Sequence, residues 1–196
     1  MTNEHVESVA TIHESSWGKD ELSVKLGREY INRFYQYIVT SKYSFGFVYI
    51  FDKQIIAYAA GFYDYQYFNK FFLKENLLFI FMTLIKRIFS CKMTLIDILN
   101  LLQDDKKLSK AQYRKYHLGA LALSKEYKGV ELGKQAIYDT NSAVLNELKD
   151  KGYPGCWGLC NFNNVPMRNL LLKLGFEEID LIKMIKKNVV LYEKTF

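Results

Sequence analysis

The stretch Leu121-Ala-Leu-Ser-Lys-Glu-Tyr-Lys-Gly-Val-Glu-Leu-Gly-Lys134 constrains this chain more than any other. An apolar strand runs through a short loop straight into the start of a long amphipathic helix. A helix start presents backbone N–H groups that have no intrahelical acceptor, at the positive end of the helix dipole, and phosphate oxygens bind there. Gly129 and Gly133 let the backbone turn tightly and approach a ligand closely. Lys125, Lys128 and Lys134 add positive charge. Taken alone, glycines ahead of a helix also fit a plain turn, so the surrounding pattern has to decide.

Downstream the pattern is regular. Residues 117–124 read as an apolar strand and 132–151 as a long helix bearing Ile137, Val144, Leu145 and Leu148. Gly152-Tyr-Pro is a turn, 156–160 a short strand, and 165–174 a helix stopped by Gly175. Residues 176–185 and 189–196 form a closing strand pair around Lys186-Lys187-Asn188. Upstream, Val6, Val9, Ala10 and His13 recur at helical spacing. A second helix over 22–39 carries Leu26, Tyr30, Ile31, Phe34 and Ile38. Two strands, 45–51 and 55–62, flank a turn at Asp52-Lys53-Gln54. The order of strands and helices argues an α/β (α+β) sheet domain. The whole chain, 1–196, reads as a single domain with no Pro-rich linker, since only two prolines occur.

Residues 70–90 stand apart. At about 100° per residue, Glu75, Asn76, Thr83, Lys86, Arg87 and Ser90 share a narrow polar stripe. Leu77, Leu78, Phe81, Met82, Leu84, Ile85, Ile88 and Phe89 fill the rest. The apolar run falls well short of the roughly 20 residues that span a bilayer. A core or lid helix is one reading; a helix lying in a membrane interface or against a partner is the other. A further amphipathic helix over 95–102 and a charged connection over 103–115 follow.

The net charge of +6 suits an anionic ligand such as a nucleotide or coenzyme, and would also suit nucleic acid or an acidic membrane surface. No basic run and no zinc-finger or RNA-recognition motif accompanies it, which argues against nucleic acid. Cys91, Cys156 and Cys160 form no CxxC pair, and Met1-Thr-Asn-Glu-His lacks signal-peptide character, so a reducing cytoplasm is expected. No HExxH, GxSxG or Walker pattern appears, so metal hydrolysis, serine chemistry and NTP cleavage lack support and no metal is expected.

Residues 124–133 resemble the coenzyme loop of the GNAT acetyltransferase superfamily, Arg/Gln-x-x-Gly-x-Gly/Ala. Lys128 stands for the Arg/Gln and Gly133 for the last Gly, while Glu131 replaces the middle Gly. Asn164-Val-Pro-Met-Arg-Asn-Leu-Leu-Leu-Lys-Leu-Gly-Phe176 resembles the second signature, an Asn opening a helix that ends in Lys-Leu-Gly-Phe. The likeness covers 116–196 well and the first half loosely. It implies a GNAT-like mixed, mostly antiparallel twisted sheet flanked by helices, with a helical insert (about 65–113) before the central strand. It implies acetyl-CoA as cosubstrate. Its pyrophosphate would lie on Lys128, Gly129, Val130, Glu131, Leu132, Gly133 and Lys134. Pantetheine would pair with Leu121, Ala122 and Leu123, where the family's strands part and a backbone N–H polarises the acetyl carbonyl. Asn164 would bond the pantetheine arm, besides capping its helix.

Two residues depart from the family pattern. Glu131 puts a carboxylate near the pyrophosphate unless it turns to solvent or pairs with Lys128 or Lys134. Leu171 stands where many members carry the tyrosine that protonates the thiolate. Transfer to an amine needs a proton acceptor and an oxyanion donor. His117, at the head of the central strand, is the candidate base, and Tyr192 on the last strand the candidate acid. Glu126 is a weaker base, and Cys156 and Cys160 read as buried small hydrophobes. The leading reading is N-acetyl transfer to a primary amine of a small-molecule or other aminated, bulky acceptor. The other is a catalytically inactive GNAT-like domain that binds CoA, a partner or a peripheral membrane. Whether the insert is a lid or a homodimer surface stays open.

Overall fold

The computed structural model describes residues 1–19, 21–90, 93–94, 96–97, 99–100, 103, 115–185 and 187–196. Three helices come first: α1 (Val6–Ser16), α2 (Leu22–Leu26) and α3 (Arg28–Thr40). A hairpin of β1 (Ser44–Phe51) and β2 (Gln54–Phe62) leads into the long helix α4 (Tyr65–Phe89). Then come β3 (His117–Leu123), α5 (Glu131–Asp150), β4 (Gly155–Asn161), α6 (Val165–Lys173), β5 (Glu177–Lys183) and β6 (Asn188–Thr195).

The strands form one six-stranded sheet in the order β1-β2-β3-β4-β6-β5. Among the described residues only β3 and β4 run parallel, as expected where the long crossover helix α5 connects them. The helices cover both faces. Val9, Ala10, Ile31, Tyr35 and Ile38 of α1 and α3, with Phe68 and Phe72 of α4, pack against Tyr58, Ala60 and Phe62 of β2. Val144, Leu145 and Leu148 of α5 and Leu171 of α6 pack on the opposite face against Leu118, Cys156, Cys160, Val190 and Tyr192. Alternating residues of the inner strands thus feed two apolar layers, each buried Leu or Ile contributing about 1.5–3 kcal/mol.

The turn between β1 and β2 is two residues, Asp52 and Lys53, both at positive φ (45° and 63°), with Phe51 opposite Gln54. That is the left-handed pair a tight hairpin demands.

The helix expected over 22–39 is broken into α2 and α3. Gly27 adopts φ 90°, and the Arg87 guanidinium lies where a side chain at this position would project. Arg87 Nε also donates to Leu26 O at 3.0 Å. The apolar periodicity continues across Gly27, so the break follows from a tertiary contact that the pattern does not carry. Helix α4 begins at Tyr65, a turn before the expected start, with Asp64 Oδ1 accepting from Tyr67 N at 3.0 Å as its cap. Phe68 and Phe72 alone of its residues are buried; Leu77, Leu78, Phe81, Met82 and Phe89 face outward. The expected helix over 95–102 and connection over 103–115 lie largely outside the described residues. Among the described residues no helix is long and apolar enough to cross a membrane.

Candidate coenzyme and acceptor site

The parallel pair β3–β4 is short. His117 lies opposite Trp157 and Leu118 opposite Gly158, and there the pairing ends although both strands continue. The C-terminal halves of the two central strands therefore part. On its other side β3 stays paired with β2 as far as Leu123 opposite Ala57, and Ser124 N donates to Ile56 O at 2.8 Å. Backbone groups alternate in direction along a strand, so the N–H groups of Leu121 and Leu123 face the gap.

A bulge accompanies the parting. The register of β2 on β3 shifts between Tyr58 and Ala60, and Ala120 sits at φ 46°. A left-handed alanine is strained, and bulges of this kind re-aim the backbone beside active sites. Leu121, Ala122 and Leu123 follow it directly along the gap.

A 3-10 turn, Lys125–Tyr127, leads from β3 to α5. Lys134 N is the first to bond back into α5, to Val130 O at 3.1 Å. The amides of Glu131, Leu132 and Gly133 precede that bond and point out of the helix end. Gly133 is buried, and any Cβ there would strike the Tyr127 carbonyl oxygen and the Leu123 side chain. The loop can fold back over the helix start because residue 133 has no side chain. Lys128, Gly129, Val130, Glu131 and Lys134 are all exposed. Glu131 Oε2 is held by Lys134 Nζ at 3.0 Å, in solvent. The carboxylate that departs from the family loop is thus partnered at the rim.

Asn164 Oδ1 accepts from Met167 N at 3.3 Å and caps α6, with Pro166 in the first turn. His117 is buried in an aromatic box. Its ring stacks on Trp157 at 4.0 Å and meets Tyr65 edge-on at 4.7 Å, with Phe62 on its flank. It lies four residues, about 13 Å of strand, before Leu121, on the face covered by α1, α3 and α4. Trp157 Nε1 is buried there with no hydrogen-bond partner among the described residues.

Tyr192 is on the opposite face, in the same layer as buried Leu171. Its hydroxyl donates to Glu178 Oε1 at 2.6 Å and accepts from Arg168 Nε at 3.0 Å. Burial, with the Glu178 bond, pushes its pKa up to about 12. The Tyr192 hydroxyl, then Arg168, hold Glu178 below the usual carboxylate range. The Cys156 and Cys160 thiols are buried and free, and burial raises both, Cys160 to about 11. They behave as the small hydrophobes their spacing suggested.

Sequence reasoning missed a polar network on the face covered by α1 and α3. His13 of α1 is buried, with Nδ1 at 2.7 Å from Tyr35 Oη and 3.1 Å from Tyr58 Oη. Tyr35 Oη donates to Tyr58 Oη at 2.7 Å, and His13 Nε2 is 2.7 Å from Ser23 Oγ. Trp17 stacks on the imidazole at 4.5 Å. Burial lowers the His13 pKa to about 4, so the ring is neutral at pH 7. Tyr58 lies opposite Ala122, and Ser16 Oγ donates to Leu123 O at 2.7 Å, which ties the network to the end of β3. The one signal in the sequence was a histidine among the apolar positions of the first helix.

No family model and no curated protein matches this sequence. Solved structures do match. The Drosophila melanogaster polyamine N-acetyltransferase aligns over 100% of this chain and 97% of its own, at TM-score 0.62 and 14% identity. The ribosomal-protein-alanine N-acetyltransferase of Brucella melitensis aligns over 100% and 97%, at TM-score 0.60 and 10% identity. The Escherichia coli ribosomal-protein-S18-alanine N-acetyltransferase aligns over 98% and 88%, at TM-score 0.55 and 11% identity. With its mostly antiparallel six-stranded sheet, parted central strands and helices on both faces, the chain has the fold of the GNAT acetyltransferases.

Proposed function

We propose that this chain is an acetyl-CoA-dependent N-acetyltransferase acting on a primary amine, as one domain and in a reducing cytoplasm. The observation that carries the reading is the cradle at residues 128–134. Outward amides sit at the start of α5, under a loop that a Cβ on residue 133 would displace, beside the parted ends of β3 and β4. That donor set fits a diphosphate. Acetyl-CoA would supply the thioester.

The chain's own residues then divide the work. The amides of Glu131, Leu132 and Gly133, ahead of the first helical bond at Lys134, hold the diphosphate within the loop of residues 128–134, with the Lys128 ammonium beside it. The gap-facing edge of Leu121, Ala122 and Leu123 orders the pantetheine arm as an added strand, and Asn164 bonds it from the far side. The N–H of Leu121, re-aimed by the bulge at Ala120, donates to the oxyanion that forms as the amine attacks. His117 takes the amine's proton along a water chain, because its ring stands about 13 Å of strand away from Leu121. Tyr192 is the candidate proton donor to the thiolate, its proton held between Tyr192 Oη and Glu178. Neighbours named for a polyamine and for a ribosomal-protein alanine support an amine as acceptor class.

Calorimetric titration with CoA, followed by a thiol-release assay over a panel of amines, tests the reading. Micromolar CoA binding and turnover with at least one amine are expected. No binding at millimolar CoA would remove its basis.

A further inference from the structure

On the face covered by α1, α2 and α3, an ion pair between distant parts of the chain bridges the gap. Lys187 Nζ donates to Glu21 Oε1 at 2.5 Å. Glu21 directly precedes α2, shortly after α1, whose Ser16 hydroxyl is bonded to Leu123 at the end of β3. Lys187 closes the β5–β6 turn, with Met184 N donating to Lys187 O at 3.0 Å, just ahead of Val189 opposite Asn161 at the end of β4. The pair therefore runs from the β3 side to the β4 side, across the strand ends that part.

The two partners differ in how firmly they are held. Glu21 stands on a braced wall: Lys25 pairs with Asp97 at 3.0 Å, Arg87 bonds Leu26 O, and Ser23 bonds His13. Glu7 and Glu14, the neighbouring carboxylates of α1, are held by Arg28. Lys187 sits on an edge hairpin whose outer strand β5 is almost wholly exposed. Both side chains are about one-third exposed, at 32% and 29%. A pair that far exposed is weak and exchanges readily.

We propose that the Glu21 carboxylate is the docking point for a cationic acceptor, an aliphatic primary ammonium, and that Lys187 is a resident stand-in which the acceptor displaces. The lysine side chain is itself an alkylammonium, so the carboxylate already holds the chemistry it would recognise. Exchange of one ammonium for another leaves Glu21 partnered throughout and adds no buried unpaired charge. On a diamine, the ammonium at Glu21 stays charged while the second amine attacks the thioester. The inference rests on the acetyltransferase reading for the direction of approach, and narrows the acceptor from any amine to one carrying an aliphatic cation.

The test is calorimetric titration of the full chain and of K187M and E21Q with 1,5-diaminopentane, 1,5-pentanediol as the uncharged control, and CoA. K187M is expected to bind the diamine about 2–5-fold tighter and E21Q about 5-fold weaker than the unmodified chain, magnitudes set by one partly exposed charge pair. The diol is expected to bind none of them, and CoA all three alike. Equal diamine affinity across the three proteins, or equal binding of diol and diamine, overturns the proposal while intact CoA binding leaves the acetyltransferase reading standing. Loss of CoA binding in the unmodified chain sinks that reading instead. Unfolding temperatures of the variants separate a mere strut, which would lower stability and leave diamine affinity unmoved; that result too overturns the proposal.

Discussion

The loop at residues 128–134 and the network around His13 flank the same strand end and are built in opposite ways. The loop is exposed and works through backbone amides, with a missing side chain at Gly133 making the room. The network is buried and works through side chains: an imidazole, two phenols and a hydroxyl whose hydrogen bonds close on one another. A backbone site tolerates most side chains at its rim, which is why Glu131 can stand where the family has glycine once Lys134 holds it. A side-chain site tolerates little, because each group left unpaired in the interior costs about 1–3 kcal/mol. One half of the molecule is thus open to drift in residue identity, and the other is open to drift in chemistry only as a set.

The sharpest way to break that comparison is Gly133→Val. The added side chain collides with the Tyr127 carbonyl and lifts the loop, so CoA affinity is expected to fall by about 1,000-fold, or ~4 kcal/mol, as read by calorimetry. Retained affinity would mean the cradle is not the binding site. His13→Phe should do the reverse, costing about 3 kcal/mol of stability through its orphaned phenols while CoA affinity holds.

The same histidine makes stability depend on pH. Its folded pKa is about 4 against 6.5 for an unburied ring. The unfolded chain therefore binds the proton more readily between these values. The contribution is fully present above pH 6.5 and is lost as pH falls toward 4, about 3 kcal/mol in all. Urea unfolding at pH 7 and pH 4.5 should show that loss in the unmodified protein and a smaller one in the Phe variant.

His117→Gln sharpens the contrast at the level of rate. The thiol-release rate at saturating acceptor is expected to fall by about 100-fold, with CoA binding intact. A change in stability with no change in rate would leave His117 as a packing residue of its aromatic box. The smallest effect is expected from Glu131→Gly. Removing a solvent-screened carboxylate from the rim should tighten CoA by about 3-fold, and a weakening would show that Glu131 serves the loop by holding Lys134.

The loop at residues 128–134 and the helices that follow it were legible because their signals are local. Gly129 and Gly133 ahead of a 3.6-period helix, and an Asn opening a helix that stops at Gly175, are statements about backbone conformation within a few residues. The buried network and the Glu21–Lys187 pair were not. His13 and Tyr58 stand 45 residues apart and Glu21 and Lys187 stand 166 apart. His13 even matched the apolar face of its helix, because burial with satisfied hydrogen bonds looks like any other buried position in a periodic pattern. The break at Gly27 was hidden for a related reason: the hydrophobic spacing continues through it, and the Arg87 side chain that packs there comes from the far end of α4.

By itself, then, the sequence determined the order of strands and helices and where backbone amides gather, since both follow from periodicity and from where side chains are absent. Only the tertiary structure decided which strands part, which polar groups close into a buried network, and which carboxylate faces which ammonium across the gap. Those are contacts between distant segments, and no window along the chain contains both partners.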